Sequence, residues 1–175
     1  KLCAEQQLAP DAVLGSYAGA IGWPQFMPSS IRRWGGGFDG DGQVNLQRSP
    51  VDAIGSVAHY LAEHGWRTGQ PTYFDVTPPE DAAARAKLLA PDIVPSFSAD
   101  EMRALGAILP DAAMQHTGPL ALVLLENGDA APTLIAGTQN FYAITRYNQS
   151  SYYALAVIEL GQAVSQAPAS SSGNP

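Results

Sequence analysis

Cysteine, positive charge and long apolar runs are all scarce in this chain, and each shortage removes a class of function. One cysteine, Cys3, leaves no internal disulfide framework and no cysteine-based zinc site, and the three histidines are too scattered for metal-ligand spacing. Charged residues make up only 14%, with 9 Lys+Arg against 16 Asp+Glu and a formal net charge of -7. A general nucleic-acid binder needs a basic face to displace counterions from phosphate, and no cluster here exceeds the Arg32-Arg33 pair. No apolar run approaches the roughly 20 residues of a membrane-spanning helix, and the first residues lack the apolar core of a signal peptide.

What is present is 46% hydrophobic residues in 175. That suits one domain of roughly 100 to 200 residues, with room for a small inserted lobe. With so few charges, surface polarity must come mainly from Ser, Thr, Asn, Gln and backbone. Such a surface suits polar, uncharged partners.

Residues 1–8 read as the end of a helix without a start signal, as in a fragment cut inside an element. GSYAGAIGWPQFMPSS, residues 15–30, has three glycines, two prolines, three aromatics and no charge. It follows neither a period of 2 nor of 3.6, so it is expected to be ordered but irregular, either a tight core turn or a ligand-facing loop. A Gly- and Asp-rich loop, WGGGFDGDGQVNL, follows. Ser49 as N-cap, Pro50 at the first helical position and Asp52 at the third then predict a helix ended by Gly65. Its expected buried face is Ile54, Val57, Ala58, Leu61 and Ala62.

From about residue 71 to 137 the character changes. Residues 72–77 read as a strand stopped by Pro78 and Pro79. Ser98 and Glu101 form a capping box before a helix carrying Met102, Leu105, Ile108 and Leu109. Two apolar strands flank Asn127-Gly128-Asp129, a hairpin signal. The last ordered stretch is expected to pass from an aromatic-rich loop into a helix with Tyr153, Ala156, Val157 and Leu160 on one face. Residues 165–175 form a tail of disordered composition.

Two constellations could carry chemistry. With Gly42 as the turn glycine of a calcium loop, Asp39, Asp41 and the Gln43 carbonyl fall on the third, fifth and seventh ligand positions. The first falls on Gly37 and the twelfth on Arg48, so Asp52 would have to close the site. Equally, Asp39 and Asp41 suit turn formation, and Asp52 suits helix capping. The second set is Trp23, Gln25, Phe26, Asn140, Tyr142, Tyr147, Asn148 and Tyr153. Aromatic faces stack on sugars while amides and phenols take hydroxyls, although any one of these aromatics more often belongs to a core.

In sequence order, GSYAGAIGWPQFMPSS, FDGDGQVNL, PVDAIGSVAHYLAEHGW and NFYAITRYNQSSYYALAVIELGQ resemble successive motifs of the membrane-bound lytic murein transglycosylase B family. The resemblance implies an α+β fold: a lysozyme-like, mainly helical core with a small inserted antiparallel β lobe and an EF-hand-like loop. On that division residues 1–70 are a core segment including the loop at 37–52, residues 71–137 the small lobe, and residues 138–164 the return to the core. It further implies cleavage of the β-1,4 bond between N-acetylmuramic acid and N-acetylglucosamine in peptidoglycan. One glutamate protonates the glycosidic oxygen, then acts as base while the muramoyl 6-hydroxyl closes on the anomeric carbon to give a 1,6-anhydro sugar. No second carboxylate is needed, because the substrate supplies the nucleophile.

Carried over by motif, Ser16, Gln25, Phe26 and Met27 line the groove, while Tyr147, Asn148 and Tyr153 contact sugar or position the acid. Asp39, Asp41, Gln43 and Asp52 match the family's calcium ligands, and catalysis itself requires no cofactor. This chain departs from the pattern at Gly37, where the family carries aspartate, and by one extra residue between Asn45 and Asp52. It also lacks the Gly-Val-Glu-Thr context of the catalytic glutamate, which is expected upstream of Lys1. Neither Glu5 nor Glu63, Glu126 or Glu159 stands at a matching position. The expectation is a monomeric, periplasmic C-terminal portion, from a precursor with or without an outer-membrane anchor, that binds glycan strands and is inactive alone. The rival reading is a non-catalytic glycan-binding domain.

Overall fold

The structure, a computed structural model, describes residues 1–6 and 9–167. The chain divides into two compact units, Lys1–His64 and Gly65–Pro175. In the first, a short helix α1 (Leu2–Glu5) and a 3-10 turn (Pro10–Ala12) lead into the irregular loop, then α2 (Pro28–Trp34) and α3 (Pro50–Glu63). Pro28 starts α2 at a position where a missing N–H costs nothing. An aromatic cluster joins α2 to α3. Trp34 meets Tyr60 edge-on at 4.7 Å between centroids, Tyr60 stacks on His64 at 4.0 Å, and Phe26 tilts against Tyr60 at 5.6 Å.

Helix α3 starts where expected, capped by the Ser49 side chain, which accepts from the Asp52 N–H. Its buried face differs from the expected one. Asp52, Ala53, Ser56 and Tyr60 are buried, whereas Ile54 is 71% exposed. The cause is the neighbouring loop: its backbone N–H groups face α3 and need acceptors, which Ser56 and Asp52 provide for Gly36 and Phe38. Polar satisfaction overrides the apolar count on this helix.

The second unit is built on an antiparallel sheet of β1 (Tyr73–Asp75), β2 (Ala121–Asn127) and β3 (Ala130–Gly137) in the order β1-β3-β2. A two-residue turn, Gly128-Asp129, joins β2 to β3, with Gly128 at φ 62 as such turns require. Pro132 is tolerated in the central strand because β1 reaches only residues 135–137, leaving that end of β3 with β2 alone. Opposite it the register shifts between Leu125 and Asn127. The intervening Glu126 gives both its backbone groups to Tyr152, whose hydroxyl accepts from the Glu126 N–H at 2.8 Å and donates to its carbonyl at 3.0 Å.

Helices α4 (Ala82–Leu89), α5 (Ala99–Ala104) and α6 (Asp111–Met114) precede the hairpin, and α7 (Gln139–Asn148) and α8 (Ser151–Gln166) follow it. Leu88, Ala99, Met102, Ala107, Leu120, Leu122 and Ala136 form a core on one side of the sheet. Each fully buried Leu or Met there contributes about 1.5–3 kcal/mol. Val123 and Phe141 close on Gly137 on the other side, α7 packs on β3 and α8 on β2. With both faces covered, β2 reads as a continuous apolar run.

Four expectations are corrected in this unit. The capping box of Ser98 and Glu101 forms, but its helix stops at Ala104 because Gly106 takes φ 92; Ile108, 68% exposed, pairs with Thr77 as extended chain. The stretch expected to be an aromatic-rich loop is helix α7, started by the Thr138 side chain and ended by Gln149 in the left-handed region. On α8 the buried positions are Ala154 and Ile158, one step round from the expected face, and Leu160 and Val164 are exposed. Residues 165 and 166, assigned to the tail, are helical, and the tail proper from 168 lies outside the described residues, as do residues 7 and 8.

Candidate functional site

The loop of residues 15–26 is irregular yet held by hydrogen bonds of its own. Gly15 and Phe26 both bridge to Ile21, and the Ser16 hydroxyl accepts from the Ala20 N–H at 3.1 Å, closing a turn on itself. Gln25 sits at φ 50, a conformation unusual for a non-glycine residue, and its side-chain amide donates to the Gly22 carbonyl at 2.8 Å. Beneath, Gly22 lies at φ 71 against the Leu46 carbonyl, and the Trp23 N–H donates to that same carbonyl at 2.8 Å. A Cβ at Gly22 would stand 2.4 Å from the Leu46 oxygen, so only glycine permits this approach.

The loop thus presents Ser16, Gln25, Trp23 (62% exposed) and Met27 (44% exposed) on its outer surface. Phe26 does not join them. At 3% exposure it is a core residue packed on Tyr60, which supports the loop from below.

In the calcium-like loop each carboxylate is turned onto protein donors. Asp52, fully buried, accepts from the N–H groups of Phe38 (2.7 Å), Asp39 (3.3 Å) and Asn45 (2.8 Å). Asp39 accepts from the Asp41 N–H and the Ser49 hydroxyl, and Asp41 accepts from the Gln43 N–H. These bonds, the Ser49 hydroxyl above all, hold the Asp39 carboxyl below its usual pKa. Among the described residues no three acidic, His or Cys side chains converge, and the carboxylates of Asp39, Asp41 and Asp52 as arranged face protein donors rather than one another, which does not fit the oxygen cage of a calcium ion.

In the second unit Tyr147 and Tyr153 stack with centroids 6.3 Å apart and planes 12° from parallel. Both are partly exposed, and Asn148 beside them is exposed. Rings so placed, with a free amide next to them, can take a sugar face and its hydroxyls. Arg146, whose guanidinium lies 4.7 Å from the Tyr142 ring centroid, adds a cation at the same helix end; the i, i+4 spacing of Tyr142 and Arg146 was the signal for it. Asn140, which composition placed with the sugar-binding amides, is instead structural. Its buried side chain accepts from the Arg67 N–H and donates to the Arg67 and Gln70 carbonyls.

The chain's six glutamates are all exposed. A general acid active near neutral pH needs a raised pKa, usually from burial. Glu5 is displaced the other way: Arg32 pairs with both its oxygens at 2.5 and 3.0 Å and holds the carboxyl below its usual range. Glu101 is likewise lowered by its bonds from Ser98. A cavity of about 610 Å³ in the first unit is lined by Glu5, Ile31, Asn45 and Arg48 among others, but not by Ser16, Gln25, Phe26 or Met27.

The architecture is that of the lysozyme-like α+β lytic transglycosylases. The chain belongs to the family described as the transglycosylase SLT domain, whose model matches residues 1–162. It is 40% identical over 167 residues to membrane-bound lytic murein transglycosylase B of Escherichia coli K12, covering 93% of this chain and 43% of that protein. It resembles the crystal structure of the soluble lytic transglycosylase SltB1 from Pseudomonas aeruginosa with a TM-score of 0.79 at 42% identity, over 91% of this chain and 51% of that one. For the Escherichia coli lytic transglycosylase Slt35 in complex with calcium the TM-score is 0.74 at 37% identity, over 94% and 50%. The chain therefore spans about half the length of these relatives.

Proposed function

We propose that this chain is the glycan-holding portion of a peptidoglycan lytic transglycosylase that cleaves the β-1,4 bond between N-acetylmuramic acid and N-acetylglucosamine and leaves a 1,6-anhydromuramoyl end. The observation that carries the reading is the family match across residues 1–162. In this reading Ser16, Gln25 and Met27 form part of the groove wall, with Phe26 as its support. Tyr147, Asn148 and Tyr153 hold sugar rings. A glutamate outside this chain donates its proton to the glycosidic oxygen and then accepts one from the muramoyl 6-hydroxyl, whose oxygen closes on the anomeric carbon.

The chain alone is inactive in this reading, because none of its glutamates stands in the Gly-Val-Glu-Thr context of the family's general acid. Losing a general acid typically costs about 10² to 10⁴-fold. The test is digestion of purified sacculi by the full-length protein: anhydromuramoyl products are expected, and reducing muramic acid ends in their place would overturn the transglycosylase assignment. A periplasmic, monomeric protein fits this substrate, and among the described residues no helix is long and apolar enough to cross a membrane.

The set of exposed glutamates also favours a second reading, a glycan-binding module without catalysis. Both readings predict that the chain sediments with sacculi, and that Tyr153→Ala weakens this about 10-fold, about 1.4 kcal/mol. Only the enzyme reading predicts turnover by the full-length protein.

A further inference from the structure

We infer that the loop of residues 37–49 is closed in this chain by the buried Asp52 carboxylate in place of a metal ion, so that its fold does not depend on calcium. The inference concerns the loop alone and stands whether or not the parent protein cleaves glycan.

Three observations converge. N–H groups from both ends of the loop, Phe38 and Asp39 on one side and Asn45 on the other, meet on the two oxygens of one side chain. These donors fill three of about four lone-pair sites of the carboxylate and would turn their positive ends toward a cation placed there. Asp52 is also the third residue of the 14-residue helix α3, whose N-terminus favours negative charge. A fully buried carboxylate usually needs a cation or several donors, and here the donors suffice.

Within the same loop, the Gln43 carbonyl oxygen would lie 2.1 Å from a Cβ built at Gly37. That carbonyl is packed against the glycine, and a ligating side chain at residue 37 would have to force the loop open. Asp39 and Asp41, meanwhile, each brace the backbone two residues on, and Ser49 links Asp39 to the cap of α3 by donating to its carboxylate while accepting from the Asp52 N–H. A bound ion would compete with these donors for the same carboxylate oxygens. A glycine without ligating oxygen at residue 37 and the bonds that hold Asp39, Asp41 and Asp52 thus occur in the same loop.

The experiment is a mutation-by-metal cycle read by thermal melting, using this chain, Asp52→Asn and the double variant D39N/D41N, each in millimolar EDTA and in millimolar calcium chloride. The wild-type chain is expected to melt within about 1 °C in the two buffers. Asp52→Asn turns an acceptor into a donor facing backbone N–H groups and is expected to lower the melt by about 5–10 °C equally in both. Failure of Asp52→Asn to fold in EDTA, where the wild type folds, supports the inference as well. Calcium raising the wild-type melt by more than about 3 °C would overturn it, as would Asp52→Asn melting like wild type in EDTA. Terbium luminescence provides an independent readout: no saturable uptake is expected, and one-to-one uptake abolished by D39N/D41N would overturn the inference.

Discussion

Asn140 shows how much one side chain can hold. Its amide serves three backbone groups of residues 67 and 70 from the first turn of α7, while Thr138 before it donates to the carbonyls of Pro71 and Thr72. Asn140→Ala is expected to cost about 2–4 kcal/mol in urea unfolding, because buried backbone groups would lose their partner. Glu101 is the contrasting case, exposed and local. Bonds from Ser98 lower its folded pKa below the ordinary 4.5, so its contribution is present above that value and is lost as pH falls through the folded pKa. The difference in melting temperature between wild type and Glu101→Gln should therefore be clear at pH 6 and shrink toward pH 3. A constant difference would contradict this. The Ser98–Glu101 box could be read from sequence because its partners lie three residues apart; Asn140 could not, since its partners lie 70 or more positions away and only the fold brings them near.

At the scale of elements, local signals located the starts of helices better than their faces. Ser49 and Pro50 mark the beginning of α3 unambiguously, yet the helix turns Asp52 and Ser56 inward because an irregular loop beside it needs acceptors. The Asp52 carboxylate does not reach back to the Ser49 N–H, which donates to the Asn45 carbonyl instead, because it is spent on the loop. Helix α7 escaped notice because Asn140, Tyr142 and Tyr147 look like ligand-facing loop residues until Thr138 is seen as their cap. Glycine positions, by contrast, are well explained. Gly22→Ala places a Cβ 2.4 Å from the Leu46 oxygen at a left-handed φ and should cost about 2–3 kcal/mol, measured by denaturant unfolding.

For the whole molecule, the fold class and the family were legible, because four motifs in fixed order constrain far more than any one of them. The division of the chain was less so. The expected small lobe spans residues 71–137, whereas the second compact unit begins at Gly65 and takes in α7 and α8, which pack on each other and on the sheet. That unit contains the core of Leu88, Met102, Leu120 and Leu122. Residues 65–167 expressed alone should thus give a cooperative melt with mixed α and β circular dichroism, and a non-cooperative profile would show that the first unit is needed for it to fold.

The clasp between Tyr152 and Glu126 has a consequence for behaviour in crowded solution. An irregular strand margin with an idle donor and acceptor is a place where another chain can add itself. Here one phenol covers both groups at the shifted register of β2, at the end of the hairpin that β1 does not reach. Tyr152→Phe keeps the ring and uncovers that margin, so light scattering on mild heating should rise sooner than in the wild type. The hydroxyl protects the protein against its own kind.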